Sequence, residues 1–187
     1  YVKRVHAVSS VDLATALLYS DNIYFAQAAL QIGKTKLAQG AAGFGIGEQL
    51  PILYPFSRSQ LANGGIGGDI QLADTGYGQG QVTMTTLQLA LAYSALVNDG
   101  DIVYPRLELD AVAPKVWKEQ AMSPEAAARL KEDLIQAVRH PDGVGHGTYL
   151  EGAAIAGKTG TAELKAAKDA AGAENGWFVG FDANRPK

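Results

Sequence analysis

The chain has 187 residues, 47% of them hydrophobic and 19% charged, and contains no cysteine. That balance is ordinary for a globular protein and excludes a disordered chain, a disulfide scaffold, thiol catalysis and Cys-ligated zinc. Sixteen Lys and Arg against nineteen Asp and Glu give a formal charge of −3, and without a basic run this argues against nucleic acid as a partner.

Taken along the chain, Ser9 and Asp12 have capping-box spacing and predict a helix ending near Leu18. Tyr19-Ser20-Asp21-Asn22 breaks it. A second helix is predicted over residues 23–31, stopped by Gly33, and a third over 34–42. Residues 47–81 lose all periodicity. Pro51, Pro55, Asn63-Gly64-Gly65 and Gly67-Gly68 make them a long turn-rich stretch, which in a compact domain is usually functional or a cover. Residues 85–97 read as a buried helix closed by Asn98-Asp99-Gly100, and Ile102-Val103-Tyr104 as a short extended piece. Ser123-Pro124-Glu125 combines an N-cap, a proline at the first helical position and an acid in the first turn. That helix is predicted to reach about His140 and stop at Pro141-Asp142-Gly143. Residues 153–162 and 176–181 read as strands joined by a charged, alanine-rich hairpin connection. Helices first and strands last predict an α+β design. Two strands are too few for an independent sheet, so further strands are expected outside these residues. No run of about 18 apolar residues is present. The start at Tyr1, without Met, is read as a cut from a longer protein.

Two motifs carry chemistry. Ser20-Asp21-Asn22 lies at a break between helices, and Lys158-Thr159-Gly160-Thr161 lies on a strand. Either alone also reads as a capping turn or a surface strand edge. Together, in this order, they match two of the three motifs of serine β-lactamases and penicillin-binding proteins. The logic is acyl transfer: a serine attacks a carbonyl, and a proton must reach the leaving nitrogen. A hydroxyl (Ser20) beside an ammonium (Lys158) can relay it. The Asn22 amide both donates and accepts, which suits a peptide-like substrate. Thr159 and Thr161 hydroxyls can bind a substrate carboxylate, and Gly160 leaves room along the strand. The Thr161 backbone N–H is a candidate oxyanion donor.

The longer wording resembles the transpeptidase domain of class B penicillin-binding proteins, in particular the low-affinity, methicillin-resistance type of Gram-positive bacteria. Tyr19-Ser20-Asp21-Asn22-Ile23-Tyr24-Phe25-Ala26 resembles the second motif and its helix. Thr75-Gly76-Tyr77-Gly78-Gln79-Gly80, followed by Leu87-Gln88-Leu89 and Tyr93-Ser94-Ala95-Leu96, resembles the Gly-Gln-Gly segment and the buried helix. Gly157-Lys158-Thr159-Gly160-Thr161-Ala162-Glu163-Leu164-Lys165, followed by Gly176-Trp177-Phe178-Val179, resembles the third motif and hairpin. The resemblance covers nearly the whole chain. It implies a helical subdomain plus part of an antiparallel sheet, as in the penicillin-binding protein and serine β-lactamase fold. It implies a peptidoglycan D,D-transpeptidase that acts on stem peptides and is acylated by β-lactams. It also implies a parent anchored at the outer face of the cytoplasmic membrane, with partners in division or elongation complexes.

One departure matters. None of the seven serines has Lys three residues on. The nucleophile of an S-x-x-K motif is therefore expected upstream of residues 1–187 in the parent, and a terminal strand and helix downstream. On this reading the 187 residues alone are a partial, inactive domain, poorly stable or self-associating. Two alternatives stay open: a serine β-lactamase and a non-enzymatic penicillin sensor. Against the first, no Glu between the motifs has Asn four residues on, so an E-x-x-x-N base is missing. Tyr77 is expected either to line the cleft or simply to pack, and Trp177 and Phe178 to pack the sheet. Glu163 reads as a surface carboxylate. His6, His140 and His146 have no ligand spacing, and neither metal nor cofactor is expected. The glycine runs over 43–47 and 76–80 do not match a dinucleotide fingerprint.

Overall fold

The structure, a computed structural model, describes residues 6, 8–107, 113–164 and 172–184. Helix α1 (Leu13–Tyr19) begins at Asp12, whose carboxylate accepts a hydrogen bond from the Thr15 N–H at 2.8 Å. Ser9 therefore does not cap it. Asp is as good an N-cap as Ser, and the one nearer the helix takes the role. Helix α2 (Asn22–Ile32) starts after only Ser20 and Asp21, and ends at Gly33, where φ is +79°. Helix α3 (Lys34–Gly43) follows at once and buries none of its residues.

The stretch over 47–81 is not all turn. It contains helix α4 (Asp69–Gly76), preceded by Gly68 with no side-chain cap. Only Leu72 and Thr75 of α4 are buried. Two turns with two inward positions are too short for a 3.6-residue period to show, and the surrounding glycines mask the start. Helix α5 (Thr86–Ser94) is capped by the Thr85 hydroxyl and is shorter than its apolar pattern. The chain unwinds over 95–100, where Asp99 and Gly100 take φ of +53° and +99°. Strand β1 (Ile102–Val103) pairs antiparallel with β2 (Val116–Lys118), a three-residue strand that no pattern announced.

Helix α6 (Pro124–Arg139) starts as its sequence dictates, with the Ser123 hydroxyl accepting from the Ala126 N–H at 3.2 Å. Its inner face buries Ala127, Leu134, Ala137 and Val138. It packs against α1 on one side and β3 on the other. Strands β3 (Ile155–Leu164) and β4 (Ala173–Asp182) are antiparallel, with Lys158 opposite Val179. Both strands run into the stretch over 163–175 that was expected to be the hairpin connection, and its residues 165–171 lie outside the described residues. Helices lead and strands close the chain, which is the α+β arrangement read from the sequence.

Two apolar clusters hold these elements. Leu50, Leu91, Ala95 and Ile102 form one, and Leu96, Leu134 and Ala156 the other. The second joins α6 to β3, so it fixes the sheet against the helical layer. Gly157 and Gly180 sit opposite one another on β3 and β4. A Cβ on Gly157 would lie 2.5 Å from the Phe178 ring, and one on Gly180 2.7 Å. The ring thus covers both glycines, on the sheet face opposite to Lys158. Among the described residues no helix is long and apolar enough to cross a membrane.

Several large apolar side chains stand in solvent. Leu53 is fully exposed, Ile70 is 83% exposed and Leu107 66%. Exposed apolar surface of this kind favours association. The 187-residue chain expressed by itself should elute above its monomer mass in size exclusion with light scattering. A compact monomer that unfolds cooperatively would contradict this. A Gly157→Ala change should cost about 1–3 kcal/mol by overpacking against Phe178, read as a fall in the unfolding midpoint.

Candidate active site

The second motif is a helix-to-helix joint. Ser20 closes α1 in the left-handed conformation, at φ +54° and ψ +52°. Asp21 opens α2, its carboxylate accepting from the Tyr24 N–H at 2.9 Å. Asn22 is the first residue of α2. One residue thus ends a helix, the next begins another, and the Ala16 carbonyl accepts from the N–H of both Ser20 and Asp21. A left-handed backbone in a non-glycine residue costs on the order of 1–3 kcal/mol. Asp21 is 3% exposed, so the joint is held from inside.

The third motif is brought to it by α6. Ala16 on α1, Ala137 on α6 and Ala156 on β3 are each 0% exposed. These small side chains let three elements approach closely. The loop after α6 is tied to the end of α1 by the Val144 N–H, which donates to the Leu18 carbonyl at 3.0 Å. Lys158, two residues past Ala156 and so on the same strand face, reaches the joint. Its Nζ donates to Ser20 Oγ at 2.9 Å across 138 positions of sequence, and to the Thr159 carbonyl at 2.8 Å. Burial lowers the Lys158 ammonium from 10.5 to about 8.

A cleft of about 490 Å³ opens here, lined by Ser20, Asn22, Tyr77, Lys158, Thr159, Gly160 and Thr161 among others. All seven residues singled out in the sequence therefore meet at one cleft. The Tyr77 hydroxyl donates to Asp74 Oδ1 at 2.6 Å. A Cβ on Gly76 would stand 2.5 Å from Ala29 Cβ and 2.6 Å from the Phe25 carbonyl. Glycine there lets the end of α4 press onto α2 and carries Tyr77 to the cleft. Six further residues line it without having been given a role at the site: Leu17, Tyr19, Phe25, Gly76, Gln79 and Val144. Gln79 had a visible signal, since it is a polar residue between two glycines. Val144 had none.

Chemically, the cleft sets a hydroxyl against a partly desolvated ammonium at hydrogen-bond distance, with an amide side chain and a strand edge beside them. That can move a proton to and from a group bound between them, and can hold an anion near Lys158.

Residues 2–187 match the family model described as the penicillin-binding protein transpeptidase domain. The chain belongs to that family. It is 46% identical to penicillin-binding protein 3 of Bacillus subtilis over 94% of its length and 26% of the relative's. It is 30% identical to stage V sporulation protein D of the same organism over 87% of its length, covering 26% of that protein. A probable peptidoglycan D,D-transpeptidase of Pseudomonas aeruginosa is 32% identical over 84% of the chain and 28% of that relative. The chain thus spans about a quarter of the length of the relatives it matches.

The lowered Lys158 value has a definite sign. Its ordinary value is 10.5 and its folded value about 8. Below about 8 the folded state carries a buried ammonium at a cost; between 8 and 10.5 the unfolded chain binds the extra proton, so stability rises with pH in that window. In the full-length protein the ¹³Cε shift of Lys158 should titrate near 8. A midpoint near 10.5 would mean that the side chain is solvated.

Proposed function

We propose that the chain forms part of a peptidoglycan D,D-transpeptidase that β-lactams acylate. The observation that carries this reading is the 2.9 Å contact between Lys158 Nζ and Ser20 Oγ at a cleft lined by both motifs. Membership of the family supports it. The nucleophilic serine and its lysine lie in the parent chain outside residues 1–187, where the domain also gains its remaining strands. That serine attacks the penultimate D-alanyl carbonyl of a stem peptide. Its O–H proton passes by way of Ser20 to the leaving nitrogen, and D-alanine departs. An amine of a neighbouring stem peptide then attacks the acyl-enzyme, gives up its proton along the same relay, and restores the serine.

Each described residue has a part. Lys158 supplies positive charge to the Ser20 relay. Asn22 grips the peptide backbone of the donor, and Thr159 and Thr161 take its terminal carboxylate. Gly160 gives the substrate passage along β3, and Tyr77 forms one wall. The Thr161 N–H faces the cleft edge, where it can meet the developing oxyanion. The motif wording resembles that of the methicillin-resistance type. The parent then works at the outer face of the cytoplasmic membrane on an anchor, among division or elongation partners.

Intact mass of the full-length chain, followed for hours after penicillin, tests this. A persistent penicilloyl adduct on a serine upstream of residue 1 is expected. An adduct that forms and is quickly lost would make the protein a β-lactamase. No adduct at high drug concentration would remove the acyl-transfer reading. Ser20→Ala should slow adduct formation about 10²–10⁴-fold, the usual worth of a general acid–base group.

A further inference from the structure

The edge of β3 that borders the cleft is already engaged. In an antiparallel strand a residue's N–H and C=O face the same side, and successive residues face alternate sides. The Thr159 carbonyl accepts from Lys158 Nζ at 2.8 Å, and the Thr161 carbonyl accepts from Gln79 Nε2 at 3.1 Å. Both carbonyls therefore point away from β4 and into the cleft. The second of these bonds joins residues 82 positions apart. It is a side chain doing what an added strand would do.

Gln79 reaches this position from a fixed base. Its own N–H donates to the Asp74 carbonyl at 2.9 Å. Gly78 and Gly80 on either side take φ of +81° and +73°, and Gly76 is pressed against α2. The turn is thus pinned, and the side chain alone spans the gap. A half-exposed glutamine side chain can swing away by rotation about its own bonds, without moving the turn.

An extended acyl donor that lies along a strand edge binds through main-chain hydrogen bonds. Its amide N–H needs an outward carbonyl of β3, and the one at Thr161 is taken. We propose that Gln79 is a donor-selecting residue: its side-chain amide occupies the Thr161 carbonyl and must be displaced by any donor that carries an amide-bearing side arm to that point. A donor without the arm leaves Gln79 in place. The inference rests on the transpeptidase reading. Gln79 touches the strand edge and not the reacting atoms, so it acts on donor entry and not on the acyl transfer itself.

The test is acylation of the full-length chain by two compounds, a penicillin with an acylamino side chain and the same nucleus without it. Rates of adduct formation at low drug concentration are compared for the wild type and Gln79→Met, which keeps the length and loses the donor. One hydrogen bond of this kind changes a rate by about 2–10-fold. Gln79→Met should speed acylation by the acylamino penicillin by about that factor and leave the bare nucleus within about twofold. Gln79→Asn, polar but one methylene short of the carbonyl, repeats the measurement should Met at this position fail to fold. Equal changes with both compounds would make Gln79 a brace for the cleft and overturn the inference. Slower acylation by the acylamino compound alone would mean that Gln79 holds the bound donor, and would also overturn it. No wild-type adduct with either compound overturns the transpeptidase reading, and this inference with it.

Discussion

The hydrogen bond from Lys158 to Ser20 is the constraint that organises the molecule. Its partners are 138 positions apart and sit in different layers, one in a helix joint and one in a strand. The bond requires the strand and the joint to stay within reach of one lysine side chain. The requirement therefore passes outward to whatever sets the distance between the layers. That is α6, with Ala137 and Val138 buried on its inner face and alanines opposing it on α1 and β3. Larger side chains at these contacts would push the layers apart. The same packing withdraws Lys158 from water, so close approach and the lowered ammonium value have one cause.

The Ser20-Asp21-Asn22 joint shows how a local structural role and a chemical role can coincide. A capping turn between helices was the plainer reading of the tripeptide, and it is also correct. Asp21 caps α2 while Ser20 closes α1. With only two cap residues between the helices, the cleft-lining residues Ser20 and Asn22 are fixed relative to each other by the caps. On the proposed function, the chemistry uses residues whose positions the capping has already determined.

Much of this was legible in the sequence, for physical reasons that differ from element to element. α6 was clear because Ser123, Pro124 and Glu125 are three concordant start signals on a long amphipathic pattern. β3 and β4 were clear because β-branched and aromatic residues gather there beyond a helix stop, Ile155, Thr159 and Thr161 in one and Trp177, Phe178 and Val179 in the other. α4 was hidden, since eight residues with two buried positions carry no resolvable period. β2 was hidden because three residues define a strand only when a partner is present. At the site, the motif residues could be named in advance, but the contact of Gln79 with Thr161 could not. It depends on the tertiary approach of two segments, and nothing in the wording of either predicts a side chain paired to a strand edge.

The left-handed backbone at Ser20 has a consequence for anyone wishing to harden this protein. A non-glycine residue at positive φ is the first place a stability engineer looks, and glycine is the usual remedy. Here the remedy would delete the hydroxyl that Lys158 holds. On the proposed function, the chain thus keeps a strained backbone at a residue whose hydroxyl the chemistry uses. A tougher fold and a working cleft pull in opposite directions at this one residue, so the same remedy is better applied at Asp99 and Gln120, which also take positive φ and do not line the cleft.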